Sequence, residues 1–174
     1  MSLLDLLTEH LKDPVYLHVI LNPLPVYGLA LGILALAIAI LSRSRAAQVT
    51  ALVIVFLSSL SAWPVKKYGE QAYEVVEPKS DTGSFAWLDA HAQRATRFIF
   101  VFYIAAAAAA AALLAPWKFP GIGIPLSCLT LALSLVALGF GCWIAYAGGQ
   151  IRHDEFRFGK PPEKLGDYER LMQP

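Results

Sequence analysis

Three histidines near the ends of apolar segments are the residues in this chain best suited to chemistry. His18 precedes the first apolar segment, His91 opens the third, and His153 closes the fourth. A neutral imidazole has a nitrogen lone pair that can bind a haem iron or another transition metal. Because antiparallel helices bring the start of the third segment and the end of the fourth to one surface, we expect His91 and His153 to approach each other. His18 is a third candidate.

Three interpretations of these histidines are open from the sequence. Histidines at a membrane surface commonly hydrogen-bond acidic neighbours or backbone groups, and His153 is followed by Asp154 and Glu155. A b-type haem is the second interpretation, and contact with a metal ion or a quinone is the third. The chain has no Cys-x-x-Cys-His or His-Glu-x-x-His motif, so spacing alone does not select among them.

Catalytic side-chain arrangements are not found in the sequence. The serines near the end of the second apolar segment have no base close to them in the chain. Gly148-Gly149 is not followed by the Lys-Ser/Thr of a phosphate-binding loop. We therefore predict no catalytic residues and expect that the protein is not an enzyme.

Composition indicates that these histidines belong to an integral membrane protein. The chain of 174 residues is 57% hydrophobic and 16% charged, whereas ordinary soluble domains are about 25% charged. Its net charge of +1 argues against nucleic acid as a partner, because binding phosphates requires a concentrated basic surface. The lipid bilayer is the expected environment.

Four apolar segments each approach the roughly 20 residues that cross a bilayer. The predicted spans are 25–41, 46–63, 98–115 and 122–148. Residues 2–22 precede them and begin with a leucine stripe typical of an interfacial helix. A polar loop, 64–85, and a polar tail, 150–174, lie outside the apolar layer. The predicted fold is all-α, an integral membrane four-helix bundle preceded by a short interfacial amphipathic helix.

Small residues predict how the third and fourth helices pack. The third contains consecutive alanines from Ala105 to Ala112, and the fourth has a small residue at every fourth position. These positions are Ala137, Gly141, Ala145 and Gly149. Small residues let helix backbones approach closely in lipid, so we expect these helices to pack on each other or across a homo-oligomer. Cys128 and Cys142 are too far apart along one helix to form a disulfide and are expected to be small core residues.

Three short motifs carry a family resemblance: NPLPVY at 22–27, His91, and GGQIRH at 148–153. They resemble an uncharacterised family of four-helix bacterial membrane proteins, the domain of unknown function 2231. In that family the first span opens with His-Pro-x-x-Val-His-Phe-Pro, a histidine begins the third span, and the fourth ends in Gly-Gly-x-x-x-(Tyr/Arg)-His-Gly. The likeness covers roughly residues 22–159.

The resemblance implies a redox setting but also a departure from the family. Asn22 and Tyr27 replace both histidines of the first motif, so any haem or metal role of the family loses ligands here, and His18 is the nearby substitute. Family members are sometimes fused to c-type cytochrome domains. This implies a redox or respiratory membrane complex, with a c-type cytochrome as one partner. It also implies a multi-pass protein of the bacterial inner membrane with both termini on the periplasmic side.

The distribution of basic residues favours the opposite orientation. Three Lys and Arg lie on the side of the two short turns and eleven on the side of the termini, which the positive-inside rule would place in the cytoplasm.

Two functions are compatible with the sequence. One is a membrane subunit that packs within a larger redox-linked assembly. The other is a b-haem or metal-binding electron-transfer protein that uses histidines at one membrane surface.

Overall fold

The computed structural model describes residues 2–159, which form helices joined by short connections. The first helix, α1 (Leu3–His10), begins with a capping box: the Ser2 hydroxyl accepts from the Asp5 amide, and the Asp5 carboxylate accepts from the Ser2 amide. Leu4 and Leu7 on this helix, and Leu11 directly after it, are exposed. This is the short amphipathic helix that the sequence predicts before the bundle.

Four long helical segments follow α1, and each is long and apolar enough to cross a membrane. The first segment consists of α2 (Pro14–Leu21) and α3 (Leu29–Leu41), and the second of α4 (Arg45–Leu60) and α5 (Ala62–Val76). The third consists of α6 (Thr82–Phe98) and α7 (Phe100–Leu114), and the fourth is the single helix α8 (Gly123–Arg152). A π-helical turn, Leu24–Gly28, joins α2 to α3. The all-α four-helix bundle is thus confirmed, and its four candidate spans indicate a multi-pass membrane protein.

The four segments form two helical hairpins that pack side by side. In the first hairpin α2 packs on α5 and α3 on α4, and in the second α6 and α7 both pack on α8. The hairpins meet where α4 contacts α7 and α3 contacts α8. We call the end with the short connections, near Arg43 and Lys118, the short-turn end, and the opposite end the histidine end.

Small residues bring α7 close to both of its neighbours. Ala105, Ala109 and Ala112 are fully buried on α7. On α8, a Cβ at Gly141 would lie 3.0 Å from the Phe102 ring. The alanine run therefore allows close helix packing, as the sequence predicts for the third and fourth helices.

The predicted small-residue stripe on α8 faces the core only over its first half. Ala137 is fully buried and Gly141 contacts α7, whereas Ala145 is half-buried and a Cβ at Gly149 would have no atom within 4 Å. A helix has 3.6 residues per turn, so a strict four-residue repeat turns about 40° at each step away from the core. Gly148 takes the inward position instead.

The polar loop predicted at 64–85 is mostly helical. Helix α5 continues to Val76, a 3₁₀ turn covers Glu77–Lys79, and α6 begins at Thr82. On α5, Val65 and Ala72 are buried while the polar residues of the other face are exposed. Polarity in this stretch therefore indicates a position outside the apolar layer and not the end of a helix.

Two further expectations differ from the structure or lie beyond it, and one proline pair is notable. Pro23 and Pro25 lie at the start of the π turn, where the first turn of a helix needs no amide donors from within the helix. Cys128 and Cys142 are exposed, because the fully buried hydroxyl residues of α8 occupy its inward face. The final part of the predicted tail, 160–174, lies outside the described residues.

Candidate functional site

Two of the predicted histidines, His18 and His91, lie side by side at the histidine end of the bundle. His18 is on α2 in the first hairpin, and His91 is on α6 in the second. Their ring centroids are 6.1 Å apart, and the ring planes make an angle of 78°. Both side chains are half-buried. The packing of the hairpins therefore brings together two imidazoles that are far apart in sequence.

A backbone carbonyl and a glycine hold His18 in place. The Nδ1 atom lies 2.9 Å from the carbonyl oxygen of Val65 on α5. A Cβ at Gly69, one turn further along α5, would be only 2.9 Å from the Nδ1 and Cε1 atoms of the ring. Helix carbonyls point toward the residue one turn later, so a side chain at position 69 would block the approach of the His18 ring to the Val65 carbonyl oxygen. Glycine at this position lets the imidazole reach the carbonyl.

His91 is held in the same way by the second hairpin. Its Nδ1 atom lies 2.9 Å from the carbonyl oxygen of Ile144 on α8. Gly148 is again one turn later, and a Cβ there would be 3.1 Å from Nδ1 and Cε1. We call this arrangement of histidine, carbonyl and glycine a histidine seat. Each hairpin contains one seat, formed by its first helical segment against its second.

The seats fix which ring nitrogen carries hydrogen. A carbonyl oxygen can only accept, so the Nδ1 atoms of His18 and His91 must donate. In a neutral imidazole this leaves Nε2 with a free lone pair. Metal-binding histidines are commonly oriented by the same kind of bond from the other ring nitrogen. The structure thus contains two neighbouring, oriented lone-pair donors.

His153 belongs to a different environment. It is exposed, its Nδ1 lies 2.9 Å from Glu155 Oε1, and its ring stacks on Phe156 with centroids 4.8 Å apart. Within residues 2–159 no hydrogen bond or ring contact joins it to the other two histidines. The expected approach of His91 to His153 is replaced by that of His91 to His18. The reason is that α8 continues to Arg152, which carries His153 beyond the seat.

The histidine pair lies in the outer part of the candidate spans, toward the histidine end. A hydrocarbon core takes about 20 helical residues. Counted from the short-turn end, 20 residues extend from Gly123 to Cys142 on α8, and from Leu114 back to Ala95 on α6. By this count Ile144 and His91 would lie just outside a hydrocarbon core, beside the exposed Trp143. Exposed tryptophan is typical of a membrane interface.

The donor set fits a haem better than a bare metal ion. The described residues contain no group of three or more His, Cys, Asp or Glu side chains able to hold a metal, and structural zinc sites use four ligands. A haem supplies its own four nitrogens and takes only axial ligands from the protein.

Comparisons of this chain with family models, curated proteins and solved structures found no match. Function is therefore inferred from the histidine pair and its surroundings.

Proposed function

We propose that the protein is a membrane electron-transfer protein that holds a b-type haem between His18 and His91. The observation that supports this proposal is the pair of adjacent imidazoles whose Nδ1 atoms are both engaged by carbonyls. A bound haem would supply a one-electron couple whose potential depends on its ligands and their surroundings.

Each part of a seat has a separate task in this proposal. The carbonyls of Val65 and Ile144 fix the direction of the rings and, by accepting their Nδ1 hydrogens, increase the basicity of Nε2. Gly69 and Gly148 provide the space in which the rings lie. Because each hairpin supplies one imidazole, the ligand pair exists only when the hairpins are packed together.

An optical titration of the purified full-length protein tests the proposal. We expect a Soret band on addition of haemin, saturation at one equivalent, and the spectrum of a six-coordinate bis-imidazole haem after reduction. His18→Ala and His91→Ala should each abolish this spectrum. His153→Ala is the matched control and should leave it unchanged, because His153 is exposed and bonded to Glu155. Failure of the wild-type protein to bind haemin would rule out the proposal.

A second candidate function is that of a non-catalytic subunit in a larger redox-linked membrane complex. It is favoured by two aromatic side chains beyond the end of α8 and outside the candidate spans: Phe156 is 46% exposed and Phe158 86% exposed. Exposed aromatic residues are typical anchors of protein interfaces. Purification from native membranes in mild detergent should then yield an assembly, with a c-type cytochrome as one expected component. Recovery of a free monomer alone would contradict this candidate.

A further inference from the structure

A separate feature on the surface of the bundle joins Arg94 of α6 to Trp143 of α8. Arg94 Nη1 donates to the carbonyl oxygen of Trp143 at 2.9 Å, and Arg94 Cζ lies 4.3 Å from the centroid of the Trp143 ring. Both contacts fix the guanidinium group over the indole face. The Arg94 side chain is therefore held against α8 and does not extend freely into solvent.

Arg94 has no carboxylate partner within residues 2–159. The ion pairs in this part of the chain join Lys66 to Glu70 and His153 to Glu155. Apart from the Nη1 bond to Trp143, the guanidinium makes no hydrogen bond to a described residue. Two further donor atoms, Nε and Nη2, are thus available to an external acceptor. A half-buried cation of this kind attracts an anion.

Arg97 provides a second positive charge nearby. It lies one turn after Arg94 on α6, is exposed, and likewise forms no ion pair within the described part of the chain. Residues three apart on a helix are neighbours on its surface. The two arginines therefore occupy neighbouring positions on α6, with Arg94 Cζ over the Trp143 ring and Arg97 Cζ 5.7 Å from the Phe98 ring. The fork of donors of a guanidinium group matches the oxygens of a phosphate.

The surroundings of Arg94 change from polar to apolar in the direction of the bilayer. The same count of about 20 residues from the short-turn end places both Arg94 and Trp143 at the edge of the hydrocarbon layer. One turn closer to the bilayer centre, Phe98 stacks on Phe140 with ring centroids 4.5 Å apart and contacts Trp143 at 5.5 Å. A cation at the depth of lipid phosphates thus lies directly beside an aromatic surface at the depth of acyl chains.

We propose that Arg94 and Arg97 bind the phosphate of an anionic glycerophospholipid, whose acyl chain packs on Phe98 and Phe140. Basic residues at the ends of membrane helices recognise anionic headgroups through this combination of charge and depth. The apolar platform beside the arginines favours a lipid over a free phosphate ion. The lipid proposal does not require haem binding, and its residues differ from the proposed haem ligands, although Arg94 and His91 are neighbours on α6.

Native mass spectrometry of the full-length protein in detergent tests the lipid site. Phosphatidylglycerol and phosphatidylcholine are titrated separately, and inorganic phosphate is added in a competing arm. We expect selective binding of phosphatidylglycerol, and about fivefold weaker binding for Arg94→Gln, because one basic residue near an anionic surface contributes about this factor. Arg97→Gln should weaken binding to a smaller extent, since its guanidinium is not held by Trp143.

Lys118→Gln is the matched control. Lys118 is an exposed cation beside an aromatic ring, Phe119, at 5.7 Å, but at the short-turn end, and its loss should leave the binding constant unchanged. Equal binding of both lipids, or unchanged binding by both arginine variants, would overturn the proposal. Complete displacement of phosphatidylglycerol by millimolar phosphate would also overturn it, because the ligand would then be a soluble anion. Thermal unfolding of Arg94→Gln in detergent checks that the variant is folded.

Discussion

Gly148→Ala is predicted to displace His91 from its seat, whereas Gly149→Ala is predicted to leave it in place. The Cβ of an alanine at 148 would lie 3.1 Å from Nδ1 and Cε1 of His91, while non-bonded carbon atoms prefer about 3.5–4.0 Å. The ring would have to retreat by about 0.5 Å, and its 2.9 Å bond to Ile144 would lengthen beyond the usual range for such bonds. At Gly149 no atom lies within 4 Å of the new Cβ.

The comparison of these two variants isolates the cost of disturbing the seat. Replacing glycine by alanine inside a helix is favourable by about 1 kcal/mol, and both variants share this gain because they are neighbours on α8. Only Gly148→Ala also crowds the ring, at about 1–3 kcal/mol, and weakens a hydrogen bond worth about 0.5–1.5 kcal/mol. Since displacement of the ring relieves part of the crowding, we expect Gly148→Ala to be about 1–3 kcal/mol less stable than Gly149→Ala.

Two measurements decide this prediction. Denaturant unfolding of the full-length variants in one detergent gives the difference in free energy of unfolding, and ¹⁵N NMR of the imidazoles reports the bond from His91 to Ile144. Haemin affinity should fall for Gly148→Ala alone. Equal stability of Gly148→Ala and Gly149→Ala, together with an unchanged His91 spectrum, would refute the interpretation of the seat.

Three further predictions concern the histidine end of the molecule. Imidazole ¹⁵N NMR should find hydrogen on Nδ1 of both His18 and His91, since each Nδ1 faces a carbonyl; a ring with hydrogen on Nε2 alone would contradict this. Arg157→Gln should lower the free energy of unfolding by about 1–2 kcal/mol and speed hydrogen exchange at the end of α8, because Arg157 donates to two carbonyls there and to the Ser84 hydroxyl. Hydrogen bonds from the amide and hydroxyl of Ser84, with Arg157 adding a smaller effect, hold the pKa of Asp81 below its ordinary value of 3.8. The stability that this contributes is complete above pH 3.8 and is lost as the pH falls through the lower pKa of the folded state. The protection factor of the amides at the start of α6, which is the intrinsic exchange rate divided by the observed rate, should therefore fall in acid for the wild type and change less for Asp81→Asn.

The fold could be predicted from the sequence because hydrophobicity alone determines which segments can cross a bilayer. The positions at which helices continue outside that layer were harder to predict. Residues 64–76 are polar enough to resemble a loop, yet Val65 and Ala72 form a buried face that keeps α5 helical. The end of α8 is similar, since Gln150 is buried inside the last turn although a charged stretch begins two residues later, at Arg152.

The histidines could be chosen as candidates from the sequence, but the pair that they form could not. The partners of His18 and His91 are backbone carbonyls, and every residue has one, so no side-chain pattern indicates which carbonyl is used. The available signals are Gly69 and Gly148, glycines inside helical segments, which commonly mark a close approach. At Gly69 this signal is hidden, because the polar residues around it resemble a loop.

The repetition of the histidine seat gives this single chain the internal form of a homodimer. Each hairpin offers one imidazole toward the other hairpin, much as two identical subunits offer the same residue across a twofold axis. The short connection Glu77–Asp81 between α5 and α6 joins the two hairpins. A chain divided there would yield two fragments, each with one seat, and under the haem proposal a haem-binding spectrum would report their reassembly.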